Sequence, residues 1–69
     1  MYDALTGNLD FSEALKSLRN GNRVARRSWY PDVYLFVDEG KLFMSNKTNF
    51  YHWFVGPTDL MAEDWYELV

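Results

Sequence analysis

The pattern of apolar and polar positions predicts one helix near the start of the chain. Four apolar residues follow the i, i+3, i+4, i+7 spacing that places side chains on one face of a helix. They are Phe11, Ala14, Leu15 and Leu18. Asp10 and Glu13 form a pair like a capping box ahead of this stripe, and Asn20-Gly21 supplies a left-handed stop behind it. We therefore expect a helix over residues 10–19.

Beyond residue 22 the apolar period changes to two or becomes continuous, which is typical of strands. The segments with this pattern are 23–27, 34–37, 42–45, 50–55 and 64–68. Asp38-Glu39-Gly40-Lys41 suits a hairpin turn, residues 46–49 a second turn, and Gly56-Pro57 a break before one helical turn at 58–63. The pattern predicts an α+β fold, with one N-terminal helix packed on a meandering antiparallel sheet of about four to five strands.

Residues 10–69 form a single domain in this interpretation, preceded by a leader over residues 1–9. The leader carries no helical or strand period and contains the turn-forming cluster Thr6-Gly7-Asn8. We expect it either to be frayed or to pack along a neighbouring chain.

Length and cysteine content limit how such a chain is stabilised. A chain of 69 residues without cysteine has no disulfides, thiolate metal sites or cysteine nucleophile, and one histidine excludes a two-histidine metal site within one chain. Cores this small barely offset the entropy of ordering the chain, so small domains often depend on a partner chain. We expect a homo-oligomer, a homodimer or a homotetramer.

The charge pattern and the distribution of apolar residues exclude several partners. Seven basic against ten acidic side chains give a net charge of -3, unlike the basic footprint of a duplex DNA binder. No apolar run approaches the roughly 20 residues that span a bilayer, and the N-terminus has no signal-peptide pattern. We expect a cytoplasmic protein with neither duplex nucleic acid nor membrane as a partner.

Signatures of catalysis are also absent from the sequence. His52 is the single imidazole and lies between Tyr51 and Trp53. In that position a histidine packed on a strand is a simpler interpretation than a general base. Glu63 and Asp64 are adjacent, so they do not form the facing pair of a glycosidase. Four scattered glycines contain no phosphate-loop or dinucleotide pattern. We expect a binding protein rather than an enzyme, with no catalytic residues, no metal site and no cofactor.

Aromatic residues make up 19% of the chain, and several of them lie near hydrogen-bond donors and acceptors. A nucleotide needs a ring that stacks on its base, a cation for phosphate and polar groups for ribose. We assign Trp29 and Trp53 to stacking, Arg26 to phosphate, and Thr58 and Asp59 to ribose or groups near the phosphate. The alternatives are a core or interface role for both tryptophans, a solvated strand face for Arg26, and capping of the short helical turn by Asp59 or Thr58.

The order of these motifs resembles the phage Thoeris anti-defence 2 family. A helix, a glycine and a basic strand that ends in Trp29 are followed by hairpins and the pattern Trp-x4-Thr-Asp-x4-Asp-Trp over residues 53–65. The most specific part is the segment 58–65, and the resemblance extends over residues 10–69. An asparagine commonly follows the first tryptophan in the family, where this chain has Tyr30, and the segment before the hairpins is shorter.

The resemblance implies a phage anti-defence sponge that acts in the cytoplasm of the infected host cell. Such proteins bind a cyclic ADP-ribose-type immune signal without cleaving it, and they assemble as dimers of dimers with ligand held where chains meet. Three other functions stay open: sequestration of cyclic oligonucleotide signals, inhibition of a host protein through the aromatic surface, and, less favoured, hydrolysis of the same signals.

Overall fold

The computed structural model describes residues 8–68 of the chain. Helix α1 covers Phe11–Arg19 and begins as the sequence predicts. The backbone N–H of Glu13 donates to the Asp10 carboxylate at 2.8 Å, and the N–H of Asp10 donates to the Glu13 carboxylate at 3.0 Å. Asn20 is the C-cap of the helix, and Gly21 after it takes a positive φ of 91° that glycine adopts without strain.

Five strands form one antiparallel sheet behind this helix. They are β1 (Arg23–Arg26), β2 (Tyr34–Asp38), β3 (Lys41–Ser45), β4 (Phe50–His52) and β5 (Trp65–Leu68). Their spatial order is β4-β3-β2-β1-β5, so the first four strands form the predicted meander and β5 returns to pair with β1. A helix plus a five-stranded antiparallel sheet agrees with the predicted α+β class.

Two segments differ from the sequence prediction by more than one residue. The strand expected over residues 50–55 ends at His52, although the Trp53 N–H still donates to the Leu42 carbonyl at 3.1 Å. The chain then turns toward the helix side, where Trp53 packs on the core. The helical turn expected at residues 58–63 is helix α2, Pro57–Met61, because proline at the first position favours an earlier start.

The core lies between α1 and one face of the sheet. Its fully buried side chains come from α1, β1, β2 and β5: Ala14, Leu18, Val24, Leu35 and Trp65. Helix α1 contacts β1, β5 and β2, and α2 contacts α1. Burial of one such Leu side chain stabilises the fold by about 1.5–3 kcal/mol, so this small cluster carries much of the stability.

Of the expected leader, residues 1–9, only residues 8 and 9 are within the described part of the chain. Residues 1–7 lie outside the described residues. Leu9 forms a β-bridge with Trp65, in which each backbone N–H donates to the other residue's carbonyl at 2.9 and 3.1 Å. Neither α1 nor α2 is long and apolar enough to cross a membrane, and the described residues contain no other helix.

Removal of the N-cap provides a test of α1. We expect Asp10→Ala to lower the free energy of unfolding by about 1 kcal/mol, because the backbone N–H of Glu13 loses its partner. Urea denaturation followed by far-UV circular dichroism measures the change. The exposed Ser12→Ala on the same turn is the control and should stay within about 0.5 kcal/mol of the parent. Equal stabilities of Asp10→Ala and the control would contradict the capping argument.

Candidate ligand-binding site

Three tryptophans meet at one end of the sheet, next to the core. Trp29 lies in the turn after β1, where its N–H donates to the Arg26 carbonyl at 3.0 Å, and Trp53 follows β4. The ring centroids of Trp29 and Trp53 are 6.1 Å apart in an edge-to-face arrangement. Both rings also contact the buried ring of Trp65, at 5.3 and 6.3 Å. The fold therefore brings the two predicted stacking rings together, each of them half-buried.

A cleft of about 250 Å³ opens beside the first of these rings. Its lining is mostly apolar and consists of Ser28, Trp29, Tyr30, Val33 and Met44. The Tyr30 side chain is 82% exposed, so its ring is available to a ligand. Trp53 packs against Trp29 but does not line this cleft.

Sequence reasoning missed four residues of the cleft: Ser28, Tyr30, Val33 and Met44. Tyr30 could have been found from its position directly after Trp29. Met44 reaches the site because β3 pairs with β2, with Met44 opposite Leu35. The predicted hairpin turn fixes this register but does not show that Trp29 folds over Met44. Val33 enters through the loop that precedes β2.

Arg26 is held by two carboxylates at the same end of the sheet. Its Nη1 lies 2.7 Å from Asp59 Oδ1 and its Nε 2.8 Å from Asp64 Oδ1. The hydrogen bond to Asp64, with a smaller contribution from Asp59, raises the pKa of Arg26, although burial opposes the shift. The side chain is only 16% exposed, and one cation between two carboxylates carries a formal charge of -1. The structure thus brings the predicted Arg26 and Asp59 together, as partners of each other.

Helix α2 carries the other two predicted residues. Thr58 is exposed, and Asp59 is partly buried in the first turn. The alternative that Asp59 or Thr58 caps this helix is wrong: the N-cap is Gly56, and no side-chain cap hydrogen bond is present among the described residues. Instead, the Asp59 carboxylate binds Arg26, and its backbone carbonyl accepts a hydrogen bond from Trp65 Nε1 at 3.2 Å.

The sequence matches the Tad2-like family model, the Thoeris anti-defense 2-like domain, over residues 9–68. The chain belongs to this family. The match includes α1, the whole sheet, the tryptophan cluster and the carboxylates that hold Arg26. No curated protein matches the chain.

Two larger hollows of this Thoeris anti-defense 2-like domain lie along α1. One of about 550 Å³ is lined by Ser12, Leu15, Lys16, Arg19 and Asn20. The other, of about 510 Å³, lies between α1 and α2 and has Phe11 as its one aromatic lining residue. Neither contains any of the residues predicted to bind ligand. We favour the smaller cleft because a flat ligand needs rings to stack on, and two aromatic side chains line it.

The ion pairs of Arg26 predict a measurable loss of stability in a variant. Arg26→Gln leaves two carboxylates facing each other without a cation, so we expect the free energy of unfolding to fall by about 1–2 kcal/mol, between the values for exposed and buried pairs. Chemical denaturation measures the loss. Lys47→Gln, in the exposed turn between β3 and β4, is the control for a lost charge. If Arg26→Gln were as stable as Lys47→Gln, the ion pairs of Arg26 would not stabilise the fold.

Proposed function

We propose that this chain is a phage anti-defence protein that sequesters a cyclic nucleotide immune signal of the cyclic ADP-ribose type. Membership in the Thoeris anti-defense 2-like family is the observation that carries the proposal. The setting is the cytoplasm of the infected host cell. The binding partner is the small signalling molecule, and the protein acts by stoichiometry rather than by turnover.

The cleft at Trp29 supports a flat, partly apolar ligand such as a nucleobase. Trp29 and Tyr30 offer two neighbouring rings, and Val33 and Met44 supply the apolar floor. Stacking of a base on an aromatic side chain contributes about 1–3 kcal/mol in proteins that bind single strands. In this proposal Trp29 and Tyr30 contact the base, and Trp53 holds the Trp29 ring in position.

The size of the cleft supports a site shared between chains. Its volume of about 250 Å³ lies below the range of about 300–1,000 Å³ that is usual for small-molecule pockets. A cyclic dinucleotide-sized ligand therefore extends beyond one subunit, and a second copy completes its enclosure. The homo-oligomer, a homodimer or a homotetramer, is part of the proposal for this reason.

Phosphate recognition depends on which arginine is available. Within residues 8–68, both ion pairs shorter than 4 Å belong to Arg26, and their carboxylates repel a second anion. Arg27 precedes the cleft in sequence, and its guanidinium lies over the Tyr66 ring at 5.4 Å from the centroid. Tyr66 pairs with Ala25 and so lies on the face of the sheet opposite Met44, which leaves Arg27 on the side away from the cleft. Binding by Arg26, as the sequence predicts, then requires that Asp59 or Asp64 be displaced, and Thr58 and Asp59 stay candidates for ribose contacts.

Sequestration without cleavage fits the chemistry of the side chains. Hydrolysis of a phosphodiester or glycosidic bond by side chains needs a positioned acid and base. The single imidazole, His52, is directly opposite Phe43 in the sheet, so it lies on the other face from Met44 and the cleft.

Substitution of an exposed ring tests the site without disturbing the core. We expect Tyr30→Ala to weaken binding of cyclic ADP-ribose or its isomers about 5- to 150-fold, because the variant loses about 1–3 kcal/mol of stacking. Isothermal titration calorimetry measures the affinity. Phe54→Ala is the matched control, since Phe54 is 85% exposed and does not line the cleft. Cyclic oligonucleotides in the same titrations test the other class of signal.

The fate of the ligand separates a sponge from an enzyme. After hours of incubation with excess cyclic nucleotide and denaturation by heat, we expect chromatography to recover the ligand intact, because no acid–base pair faces the cleft. The amount held by the protein should saturate at a fixed ratio to subunits. Cleavage products of the cyclic nucleotide in excess of one equivalent per site would show turnover and would favour the hydrolase alternative.

A further inference from the structure

The sheet has a second face that neither helix covers, here termed the open face. Residues alternate between the two faces of a strand, so the neighbours of the buried Val24 and Leu35 point to this side. Within residues 8–68, α1 contacts β1, β5 and β2, and neither helix contacts β3 or β4. The strand register places these ring-bearing side chains on the open face: Tyr34, Phe36, Phe43, Phe50, His52 and Tyr66.

Four of these rings form a continuous row across β2, β3 and β4, here termed the ring row. The ring centroids of Tyr34 and Phe36 are 6.2 Å apart, and those of Phe36 and Phe43 are 5.4 Å apart. Phe50 continues the row on β4 at 5.8 Å from Phe43, and its side chain is 65% exposed. Rings that pack on one another and stay open to water indicate an interaction surface.

Two exposed arginines lie beside the rings of the open face. The Arg23 guanidinium is 5.1 Å from the centroid of the Tyr34 ring, at one end of the ring row. A hydrogen bond with Ser45, and after it one with Arg23, lowers the pKa of Tyr34. The Arg27 guanidinium lies over Tyr66 on the same face. Among residues 8–68 the ion pairs belong to Arg26, so Arg23 and Arg27 are both open to an anion.

The acidic groups lie mainly on the other face of the sheet, toward the helices. They cap α1, hold Arg26 or accept a hydrogen bond from Ser17 of α1: Asp10, Glu13, Asp59, Asp64 and Glu67. Among the strand residues of the open face, Asp38 is the one acid, and Lys41 is directly opposite it. The chain as a whole carries a net charge of -3, so its positive charge is concentrated on the open face. Such a distribution attracts a polyanion to this face.

We propose that the open face binds a short single-stranded nucleic acid, with bases stacked on the ring row and phosphates at Arg23 and Arg27. The flat faces of the bases match the rings, and the phosphates match the two cations. An apolar protein surface would match the rings but not the cations, and a duplex keeps the faces of its bases covered.

The architecture of the sheet agrees with this ligand. A row across three strands that are about 4.8 Å apart is longer than one base, so it suits a linear strand of a few nucleotides. Some small RNA-binding domains use a sheet in the same way, with exposed aromatic side chains that stack two or three bases. Here α1 supports the opposite face of the sheet, so the rings project from a rigid element.

This site is separate from the cleft at Trp29, because Met44 in the cleft lies on the opposite side of the sheet from Phe43. Excess cyclic ADP-ribose should therefore leave a bound single strand in place. Phe50→Ala should likewise keep the parent affinity for cyclic ADP-ribose. The two proposals can thus fail independently of each other.

Fluorescence anisotropy with a labelled single-stranded RNA of mixed sequence tests the stacking. We expect the full chain to bind with a Kd of about 1–100 μM, the range usual for sequence-independent binding. Phe50→Ala should weaken binding about 5- to 150-fold, because one stacked base loses its ring. Phe54→Ala is the matched control, since Phe54 is 85% exposed and lies outside the strands. The same RNA annealed to its complement should bind more weakly than the single strand.

The salt dependence of the same titration tests the phosphate contacts and keeps the test decisive if Phe50→Ala does not fold. Two contacts give a slope of about -1.4 in a plot of log K against log salt concentration, at about -0.7 for each contact with a single strand. Arg23→Gln should bring the slope to about -0.7, whereas Lys16→Gln, exposed on α1, should leave it unchanged.

Two results would overturn the proposal. One is the absence of binding by the folded chain at about 100 μM protein, the weak end of the expected range, which would leave the open face to a protein partner. The other is a folded Arg23→Gln or Phe50→Ala that binds the RNA as its control variant does. Circular dichroism establishes that each variant is folded.

Discussion

Packing around Trp65 is the constraint on which the rest of this structure depends. The residue is fully buried, and its ring contacts one ring from each of three neighbouring segments: Phe11, Trp29 and Trp53. Its backbone pairs with Leu9, and its Nε1 donates to the Asp59 carbonyl. One large ring with one polar atom therefore joins the start of α1, the loop after β1, the end of β4 and α2. The packing of the core on Trp65 therefore sets the geometry of the candidate site.

The second constraint is the charge of Arg26. A cation this far from water needs partners, and Asp59 and Asp64 supply them from α2 and from the segment before β5. Since α2 has no buried residue, the ion pair and the Trp65 hydrogen bond together hold it in place. An anionic ligand at this end of the sheet then either finds other cations or competes with these carboxylates for Arg26.

Local features were predictable from the sequence, and long-range ones were not. The limits of α1 follow from its capping box and apolar stripe, and the turn between β2 and β3 follows from Glu39 and Gly40, which both take positive φ as a tight hairpin requires. The partners of Arg26 are 33 and 38 residues away, so no spacing rule connects them. Placement of Met44 in the cleft depends on how the loop with Trp29 folds over the sheet, which the hairpin register alone does not give.

The position of the cleft follows from the limited width of one helix. A helix is about 10–12 Å wide and strands are about 4.8 Å apart, so α1 covers two to three strands of a five-stranded sheet. It lies over β5, β1 and β2, and leaves β3 and β4 to be covered by other groups. On the helix side the chain folds Trp29 and Trp53 toward this gap, and the cleft over Met44 is the space that they do not fill. On the other side no helix exists within the described residues, so rings on β2, β3 and β4 stay open. The cleft on one face of the sheet and the open aromatic surface on the other therefore both follow from one short helix on a wide sheet.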